Sequence, residues 1–470
     1  MNNSANIIDF SSCKTLSGKD MINTVIRLSI PAVMAQLTSV VMQYIDAAMV
    51  GSLGAQASAS IGLVSSTTWL LNGLCISAST GFSVQIAQLV GAKRADDARS
   101  VFRQALVLTT LFGLFLCFIG LAISPHLPIW LGGSGEVCAD ASKYFFIYAL
   151  ALPATQLRQI AGNSLQCSGD MKTPSILNMC MCILDVIFNF IFIYPTRTIS
   201  VFGLNLNVFG AGMGVSGAAI GTALADYTVA FLMLFVAAKK SPALAFRYGG
   251  SWKPEARCLK AALKISLPAA FEHAIMCTAY ICATTIVAPL GTVAVAANSL
   301  AVTAESFCYM PGYGISSAST TLIGQSIGAD RRDIAKRFAS TAIALGISVM
   351  AITAVLMYGV APYMFRILTS SEEVRILGTQ VLRIEAFAEP LYAASIVCTG
   401  VLRGAGDTFI PGVLNLVSMW GVRITLSLIL VPHIGLYGVW IAMAVELCVR
   451  GILYLIRVFR WKWLNRKIDI

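Results

Sequence analysis

The chain of 470 residues contains an internal repeat with a constant offset. Pro31 in RLSIPA matches Pro268 in KISLPA, and 268 − 31 = 237. The motif QLVGAKRADDA, beginning at Gln88, matches QSIGADRRDIA, beginning at Gln325, with the same offset of 325 − 88 = 237. One long unit was therefore duplicated and fused. In an apolar chain, two such halves are typical of a transporter whose substrate site lies between them.

Apolar segments of about 20 residues, each long enough to cross the hydrocarbon core of a bilayer, recur along the whole chain. Hydrophobic residues make up 57% of the sequence and charged residues only 12%, about half the charge of a typical soluble domain. The predicted spans are residues 22–50, 57–82, 101–124, 140–162, 174–194, 212–237, 259–288, 294–323, 337–360, 378–401, 411–432 and 435–457. Because these segments are too long and too uniformly apolar for barrel strands, we predict an all-α integral membrane protein with twelve transmembrane helices.

The repeat divides the predicted helices into two lobes of six. We predict an N-terminal lobe at residues 1–238, a polar basic linker at 239–257 and a C-terminal lobe at 258–470. Since six is even, both lobes enter the membrane in the same sense, and the internal repeat is parallel. Near the end of each lobe the offset falls to 438 − 217 = 221, so the first lobe carries 237 − 221 = 16 extra residues. These fall at 196–211 and are predicted to form a small turn or hairpin.

The distribution of basic residues predicts the orientation of the chain and argues against a nucleic-acid partner. The net charge is +11, and Lys and Arg cluster after the second and eighth helices, between the sixth and seventh, and at the C-terminus. The loops at 51–56, 125–139 and 289–293 contain neither residue. This positive-inside asymmetry predicts a multi-pass protein of the cytoplasmic (inner) membrane with both termini in the cytoplasm. The predicted partners are the lipid bilayer and small molecules, with the protein as a monomer.

Two carboxylates of the first lobe lie within apolar spans, where each costs about 2.5–3.5 kcal/mol on insertion scales. Asp46 lies in the first helix and Asp185 in the fifth. Asp185 shares one helical face with Asn178, Cys182 and Asn189, because their spacing is i, i+4, i+7 and i+11. Such a face can bind a proton or Na⁺, so we predict that Asp46, Asp185 and Asn189 couple transport to an ion. The alternative is a structural role, with interhelical hydrogen bonds to Ser, Thr or Asn.

The second lobe has different acids in its apolar spans. Glu272 and Glu305 correspond to Ala35 and Thr68 of the first lobe at the 237-residue offset, so these acids are not duplicated. Two carboxylates facing one cavity attract a cation or share a proton. We therefore predict that Glu272 and Glu305 bind substrate or a second ion.

Aromatic residues of the same spans are candidates for the substrate site. Tyr44 and Tyr309 can contribute cation–π contacts to an adaptable apolar wall of the kind that organic cations need. The structural alternative for the second-lobe acids is pairing with Arg383 or Arg423, since acids inside a membrane often find partners.

Several enzymatic and cofactor-dependent functions are not supported by the sequence. No GxxxxGK[ST] motif is present, so ATP hydrolysis by a phosphate-binding loop is not predicted. The GxGxxG at Gly212, Gly214 and Gly217 runs into an apolar helix rather than following a strand, which argues against a dinucleotide site. Three scattered histidines and thirteen scattered cysteines indicate neither an embedded enzyme nor a metal site. We predict no catalytic residue and no cofactor, with H⁺ or Na⁺ as the coupling ion.

The sequence resembles the multidrug and toxic compound extrusion (MATE) family over nearly its full length. The matching segments are IDAAMVGSLG, AQLVGAKRADDA, LDVIFNFIFIYP, LPAAFEHA and LRGAGDTFIPGVLN. The resemblance implies two six-helix lobes in a V shape, alternating access, and export of organic cations coupled to H⁺ or Na⁺. It also implies that Asp46 is the first-helix aspartate used for ion coupling and that Asp185 is the fifth-helix acid used with it in some members. Glu272 and Glu305 fall on acids that are often present in second-lobe motifs of related bacterial sequences.

The sequence departs from the family pattern at several site positions. Many relatives have Asp-Thr where this chain has Asp46 and Ala47, and Val186 replaces a frequent Pro. These differences leave open whether H⁺ or Na⁺ is the coupling ion and which lobe binds it. We predict a secondary active antiporter that exports organic cations, drugs or metabolites. The alternative is a flippase for a lipid-linked precursor from the same broad superfamily, but such proteins more often place several basic residues in the cavity.

Overall fold

The computed structural model describes residues 17–201 and 204–465. Both chain ends, which the charge pattern predicts to be cytoplasmic, lie outside the described residues. The described chain is almost entirely helical, in agreement with the all-α prediction.

The first lobe contains six long helices and one short helical turn. In chain order these elements are α1 (Gly18–Gly51), α2 (Ala55–Gly91), α3 (Ala95–Ile123), the short α4 (Leu127–Trp130), α5 (Gly135–Cys167), α6 (Lys172–Ile193) and α7 (Gly214–Lys239).

The second lobe repeats this order after a linker. Its elements are α8 (Ala256–Val287), α9 (Thr292–Gly328), α10 (Arg332–Leu368), α11 (Glu372–Ala386), α12 (Glu389–Gly404), α13 (Phe409–Ser418), a π-helical segment (Met419–Ile424), α14 (Thr425–Ile434) and α15 (Leu436–Phe459).

Within the described residues, ten of the helical segments are long and apolar enough to cross a membrane on their own composition. The other two spans are α5 and the pair α11–α12, which occupy the same position in the repeat because 135 + 237 = 372 and 167 + 237 = 404. Together they complete two lobes of six spans, so the predicted twelve-helix architecture with an internal repeat is confirmed.

Two predicted spans of the second lobe are wrong in detail, because neither is one continuous α-helix. The segment predicted at 378–401 is interrupted between α11 and α12, immediately before Pro390. The segment predicted at 411–432 contains the π-helical turn around Arg423. Proline removes a backbone donor and clashes with the preceding turn, and π-turns inside α-helices are frequent at functional sites. Both irregularities lie beside buried charged side chains of this lobe.

The extra residues of the first lobe form the predicted hairpin. Strands β1 (Pro195–Val201) and β2 (Leu204–Ala211) pair antiparallel, with Pro195 opposite Ala211 and an irregularity between Pro195 and Arg197. The hairpin follows α6 directly and leads into α7. The GxGxxG that begins at Gly212 therefore does follow a strand, and the sequence-based expectation is wrong on that point. The strand belongs to a two-stranded antiparallel hairpin and not to the βαβ unit that a dinucleotide site needs.

The linker is tied to the first lobe by one buried side chain. The Arg103 guanidinium donates hydrogen bonds to the backbone carbonyls of Phe246 (2.9 Å) and Tyr248 (2.7 Å), and to that of Gly250. One arginine therefore satisfies three carbonyls of the irregular segment between α7 and α8.

The backbone conformation of the loops is repeated together with the sequence. Gly54 has a φ of 113° before α2, and Gly291 has a φ of 92° before α9. Both positions lie in the left-handed region, which glycine enters without steric cost. Since 291 − 54 = 237, the same tight entry into a long helix occurs once in each lobe.

The lobes pack against each other mainly through α1 with α9 and α2 with α8. The closest approach joins the ends of α2 and α9, next to the basic loops at Lys93 and Arg331. We call this side of the bundle the basic end.

At the basic end, a Cβ on Gly91 would lie 2.6 Å from the Cα of Gln325, and a Cβ on Gly328 would lie 2.8 Å from the Cα of Gln88. The Gln325 side chain donates to the carbonyl of Cys167 (2.9 Å). The Gln88 side chain donates to the carbonyl of Gly404 (3.4 Å), the repeat equivalent of Cys167. We call this two-fold arrangement of Gln88, Gly91, Gln325 and Gly328 the glutamine–glycine contact.

Candidate functional site

The three residues predicted for ion coupling come together inside the first lobe. The Asn189 side-chain amide donates to Oδ1 of Asp46 (3.0 Å) and to Oδ2 of Asp185 (3.1 Å). The two carboxyl groups are close enough to share a hydrogen bond when one of them carries a proton. Asp46 on α1 and Asp185 on α6 thus form one polar group, which we call the first-lobe acid pair.

Close helix packing positions the first-lobe acid pair. Asp185 and Asn189 are buried on one face of α6, as the spacing predicts. The helix α7 approaches this face at Gly221, where a Cβ would lie 2.9 Å from the backbone nitrogen of Asn189. Asp46 also lines a cavity of about 290 Å³ together with Tyr144 and Asn189. The pair is therefore held in the interior of the lobe and still borders a space that a small ion can enter.

The second lobe gathers three carboxylates in one place. Glu305 on α9, Glu385 on α11 and Glu389 on α12 each offer an oxygen, and these atoms lie within 4.8 Å of one another. All three side chains are buried, with Glu385 and Glu389 at 0% exposure. The four carboxyl oxygens of Glu385 and Glu389 have no hydrogen-bond partner among the described residues other than a proton shared with Glu305 and the weak thiol donor of Cys308. We call this group the second-lobe acid cluster.

Three buried carboxyl groups at this separation cannot all remain ionised without a compensating cation, because like charges in a low dielectric repel strongly. The cluster must therefore hold protons or bind a cation. Oxygen ligands suit a hard cation. The sequence predicts a second-ion or substrate role for Glu272 and Glu305, and of these two only Glu305 belongs to the cluster. Glu385 and Glu389 are absent from the predicted site. Their only signal in the sequence is a spacing of i, i+4 in the apolar segment RIEAFAEPLY.

The cationic side chains of the second lobe occupy other positions. Glu446 pairs with Arg450 on α15 (3.1 Å), and Arg450 stacks over the ring of Tyr392 at 5.3 Å. Arg423 lies in the π-helical segment and contacts Sδ of Met443 (2.8 Å). Within the described part of the chain, neither arginine forms an ion pair with the acid cluster.

Glu272, predicted for substrate or second-ion binding, lies in a separate environment from Glu305. Its carboxyl oxygen accepts a hydrogen bond from the Asn415 amide nitrogen (2.5 Å), and the Asn415 amide oxygen accepts from the Tyr454 hydroxyl (3.1 Å). Glu272 and Glu305 therefore do not share the site that the sequence predicts, because α8 directs Glu272 towards α13 rather than towards α9.

The two predicted aromatic residues also have different surroundings. Tyr44 stacks on Phe307 across the boundary between the lobes, with 5.6 Å between ring centroids. Tyr309 makes edge contacts with Tyr313 (5.9 Å) and Tyr392 (5.6 Å). Tyr44 thus belongs to the interface of the lobes, and Tyr309 to the interior of the second lobe near the acid cluster.

A cavity of about 550 Å³ lies between the lobes. Its walls come from α1, α2, α5 and α6 of the first lobe and from α8, α9 and α12 of the second. Along the helices, the cavity is bounded on one side by the glutamine–glycine contact and on the other by ring pairs, Tyr44 with Phe307 and Trp69 with Tyr280. Neither acid group lines it.

A duplicated twelve-span bundle with polar groups buried in each lobe and a cavity between them defines a multi-pass membrane transporter. The MatE family model matches this chain twice, at residues 31–191 and 268–429. The two matches begin 268 − 31 = 237 residues apart, which is the offset of the internal repeat. The chain belongs to the MatE family.

Similar proteins extend over nearly the whole chain. It is 24% identical to a protein of Thermotoga maritima described as a probable multidrug resistance protein NorM, over 94% of this chain and 93% of the relative. It is 26% identical to the multidrug resistance protein MdtK of Yersinia enterocolitica, over 94% and 96%. Among solved structures, a MATE protein in complex with MaL6 has the same fold, with a TM-score of 0.86 and 20% identity over 96% of this chain and 100% of that one.

Proposed function

We propose that this protein is a secondary active antiporter that exports small organic molecules, drugs or metabolites, in exchange for H⁺ or Na⁺. The relatives described as multidrug resistance proteins support the class of cargo. The observation that carries the coupling proposal is the first-lobe acid pair, in which Asp46 and Asp185 share the amide of Asn189.

The chemistry of the acid pair suits ion exchange. Two neighbouring carboxyl groups in a low-dielectric interior titrate as a unit and retain a proton, or a cation in its place. The Asn189 amide, which donates to both groups, stabilises the remaining negative charge. Because Asp46 borders the 290 Å³ cavity, a small ion has space to reach the pair. Loading or emptying this pair changes the charge between α1 and α6, and α1 also packs against α9 of the other lobe.

The second-lobe acid cluster is proposed as a second cation site. Glu305, which the sequence predicts for this role, brings together Glu385 and Glu389 from the interrupted span. Glu272 is left out of the cluster and is proposed to maintain the packing of α8 on α13 through Asn415.

The proposal includes the placement of the molecule in the membrane. Lobes 1–238 and 258–470 move relative to each other around the inter-lobe cavity, and the linker 239–257 lies in the cytoplasm with the basic end and both termini. The protein acts as a monomer in the cytoplasmic membrane. In this orientation the glutamine–glycine contact closes the cytoplasmic side of the cavity.

The test is transport by purified protein in liposomes that contain a fluorescent organic cation such as ethidium or, in a parallel assay, a fluorescent organic anion such as 1-naphthyl phosphate. Dye movement is followed after imposing a pH gradient or a Na⁺ gradient separately. We expect one gradient to drive transport and Asp46→Asn to abolish the driven component while the protein stays folded. Asp96→Asn removes an 87% exposed carboxylate of a surface pair and serves as the control. Full gradient-driven transport by Asp46→Asn would refute the coupling role.

A further inference from the structure

The charge of the inter-lobe cavity is opposite to that expected for binding an organic cation. Arg158 and Arg403 line the cavity, and no Asp or Glu of the described residues does. Both groups of buried acids lie within the lobes, away from its walls. A cation entering this space would meet like charge, which disfavours binding.

The two arginines of the cavity differ in how their charge is balanced. Arg158 pairs with Asp226 of α7, whose other carboxyl oxygen accepts from the Thr155 hydroxyl. Arg403, in the last turn of α12, forms no ion pair with any described residue. Glu272 is near enough to act electrostatically on Arg403, but its hydrogen bond goes to the neutral Asn415 amide and it forms no salt bridge with Arg403. Arg403 is therefore the cationic side chain of the cavity that lacks a bonded counter-charge within the described residues.

The rest of the cavity wall complements a guanidinium that binds an anion. Gln36, Asn72, Gln159 and Asn163 supply neutral amide donors. Met42, Ile76 and Met181 supply apolar and polarisable surface. A planar guanidinium binds a carboxylate or a phosphate through paired hydrogen bonds. An apolar wall with a few convergent polar groups is the usual composition of a small-molecule site.

We propose that the inter-lobe cavity binds its cargo through an anionic group, a carboxylate or a phosphate, held by Arg403. The cargo class is an apolar or aromatic molecule with at least one negative charge, including zwitterions. This inference rests on the proposed export function and narrows its cargo. It also separates the two kinds of charge: coupling cations bind inside the lobes, and the anionic end of the cargo binds between them.

The repeat supplies a matched position for a test of this role. Arg403 corresponds to Gln166 of the first lobe because 403 − 237 = 166. Gln166 lines the same cavity, and its side-chain oxygen accepts from Ser317 (2.8 Å). The exchange Arg403→Gln with Gln166→Arg therefore keeps the composition and the total charge of the cavity and moves the guanidinium to the opposite wall.

The experiment measures binding by isothermal titration calorimetry, with the full chain in lipid nanodiscs and no gradient. The probes share one ring system: 1-naphthylacetate, its methyl ester, 1-naphthyl phosphate and (1-naphthylmethyl)trimethylammonium. We expect one or both anionic probes to bind at least about tenfold more tightly than the ester and the cation, the range of a charge-assisted hydrogen bond. The two anions distinguish a carboxylate site from a phosphate site.

Arg403→Gln should remove this preference, and the exchanged variant should restore it at least in part. Arg366→Gln, far from the cavity at the end of α10, is the control for a change in overall charge. If Arg403→Gln does not fold, Arg403→Lys and the exchanged variant provide the comparison.

Equal or tighter binding of the cationic probe, or an anion preference that survives Arg403→Gln, would overturn the inference. Because binding is measured without a gradient, this result is independent of the coupling test. Gradient-driven export of ethidium together with no anion preference would reject this inference and leave the antiport proposal intact.

Discussion

The same position of the repeat is one continuous helix in the first lobe and two helices in the second. In α5, Pro153 lies inside the helix and the preceding Leu152 is fully buried in an apolar cluster. In the second lobe, the equivalent proline is Pro390, since 390 − 153 = 237, and the residue before it is Glu389. There the helix stops at Ala386 and a new one starts at Glu389. A shared proline thus permits a break, and the residue beside it decides whether the break occurs.

The break has an electrostatic consequence. Glu389 becomes the first residue of α12, at the positive end of the helix dipole, which favours negative charge. An uninterrupted helix would place the same carboxylate in mid-span without that support. The difference teaches that the lobes kept one backbone plan after duplication and acquired buried acids at different places, with the helix adjusted to fit them. Four experiments test this comparison. They are ordered by the difference expected between equivalent changes in the two lobes, from the largest difference to no difference.

The largest difference concerns Asp46, the aspartate proposed for ion coupling, and its transfer to the second lobe. Asp46→Ala should abolish gradient-driven transport in liposomes. Adding Ala283→Asp, which places a carboxylate at the repeat-equivalent position of the second lobe, should not restore it, because Val422 stands where Asp185 would be needed. Restoration of driven transport in the double variant would show that the lobes are interchangeable and break the comparison.

The second experiment measures stabilisation by Na⁺ at the second-lobe acid cluster. A cation that binds only the folded state at 100 times its dissociation constant adds about 2.7 kcal/mol of stability. We expect NaCl, compared with choline chloride, to raise the thermal unfolding temperature of the native chain. Glu385→Gln should lose most of this increase, whereas Asp185→Asn should keep it. An undiminished Na⁺ effect in Glu385→Gln would show that the ion binds elsewhere.

The third experiment compares two asparagines at equivalent positions. Asn415 bonds Glu272. The equivalent residues of the first lobe are Asn178 and Ala35, and the Asn178 side-chain oxygen has no partner among the described residues. Asn415→Ala should cost about 1.5–3 kcal/mol of unfolding free energy, as for loss of a hydrogen bond to a charged group. Asn178→Ala should cost much less in the same denaturation assay. Equal costs would mean that the Glu272 bond adds no stability.

The last experiment examines a place where the lobes should be equal. Gly91→Ala and Gly328→Ala each add a methyl group against the partner backbone, an overpacking that we expect to lower transport about tenfold. Both should increase maleimide labelling of Cys167, kept as the single cysteine, from the basic end. Gly62→Ala, where a Cβ meets nothing within 4 Å, is the control. A large difference between the two variants would show that the contact is not symmetric in function.

Much of the fold could be predicted from sequence because the bilayer imposes a simple rule. A segment of sufficient length and apolarity must be helical. The repeat that relates Pro31 to Pro268 predicted the division into two lobes. The interruption at Phe387 was not predictable from the same pattern, since an identical proline at position 153 leaves α5 intact. What decides between the two is the burial of Glu385 and Glu389 against Glu305, a contact between distant parts of the chain.

The candidate site was predictable to the extent that its residues share one helix. The face of α6 with Asp185 and Asn189 follows from helical spacing alone, and Asp46 joins it through packing that the resemblance implied. The cavity between the lobes was not predictable from spacing, because its residues come from seven helices. Glu272 and His273 show how little sequence proximity says about the cavity lining. They are neighbours in sequence, yet only His273 lines the cavity.

The glutamine–glycine contact bears on how a transporter avoids leaking. Each lobe contributes one glutamine that donates to the carbonyl of the last residue of a helix in the other lobe. Each lobe also contributes one glycine, whose missing side chain lets the backbone of the other lobe approach closely. If only one half of this arrangement came apart, the other would still block passage of solvent and ions. The barrier therefore yields only when both halves separate together. We therefore expect the duplicated motif to make this side of the cavity open or close as a whole, so that no half-open state conducts ions.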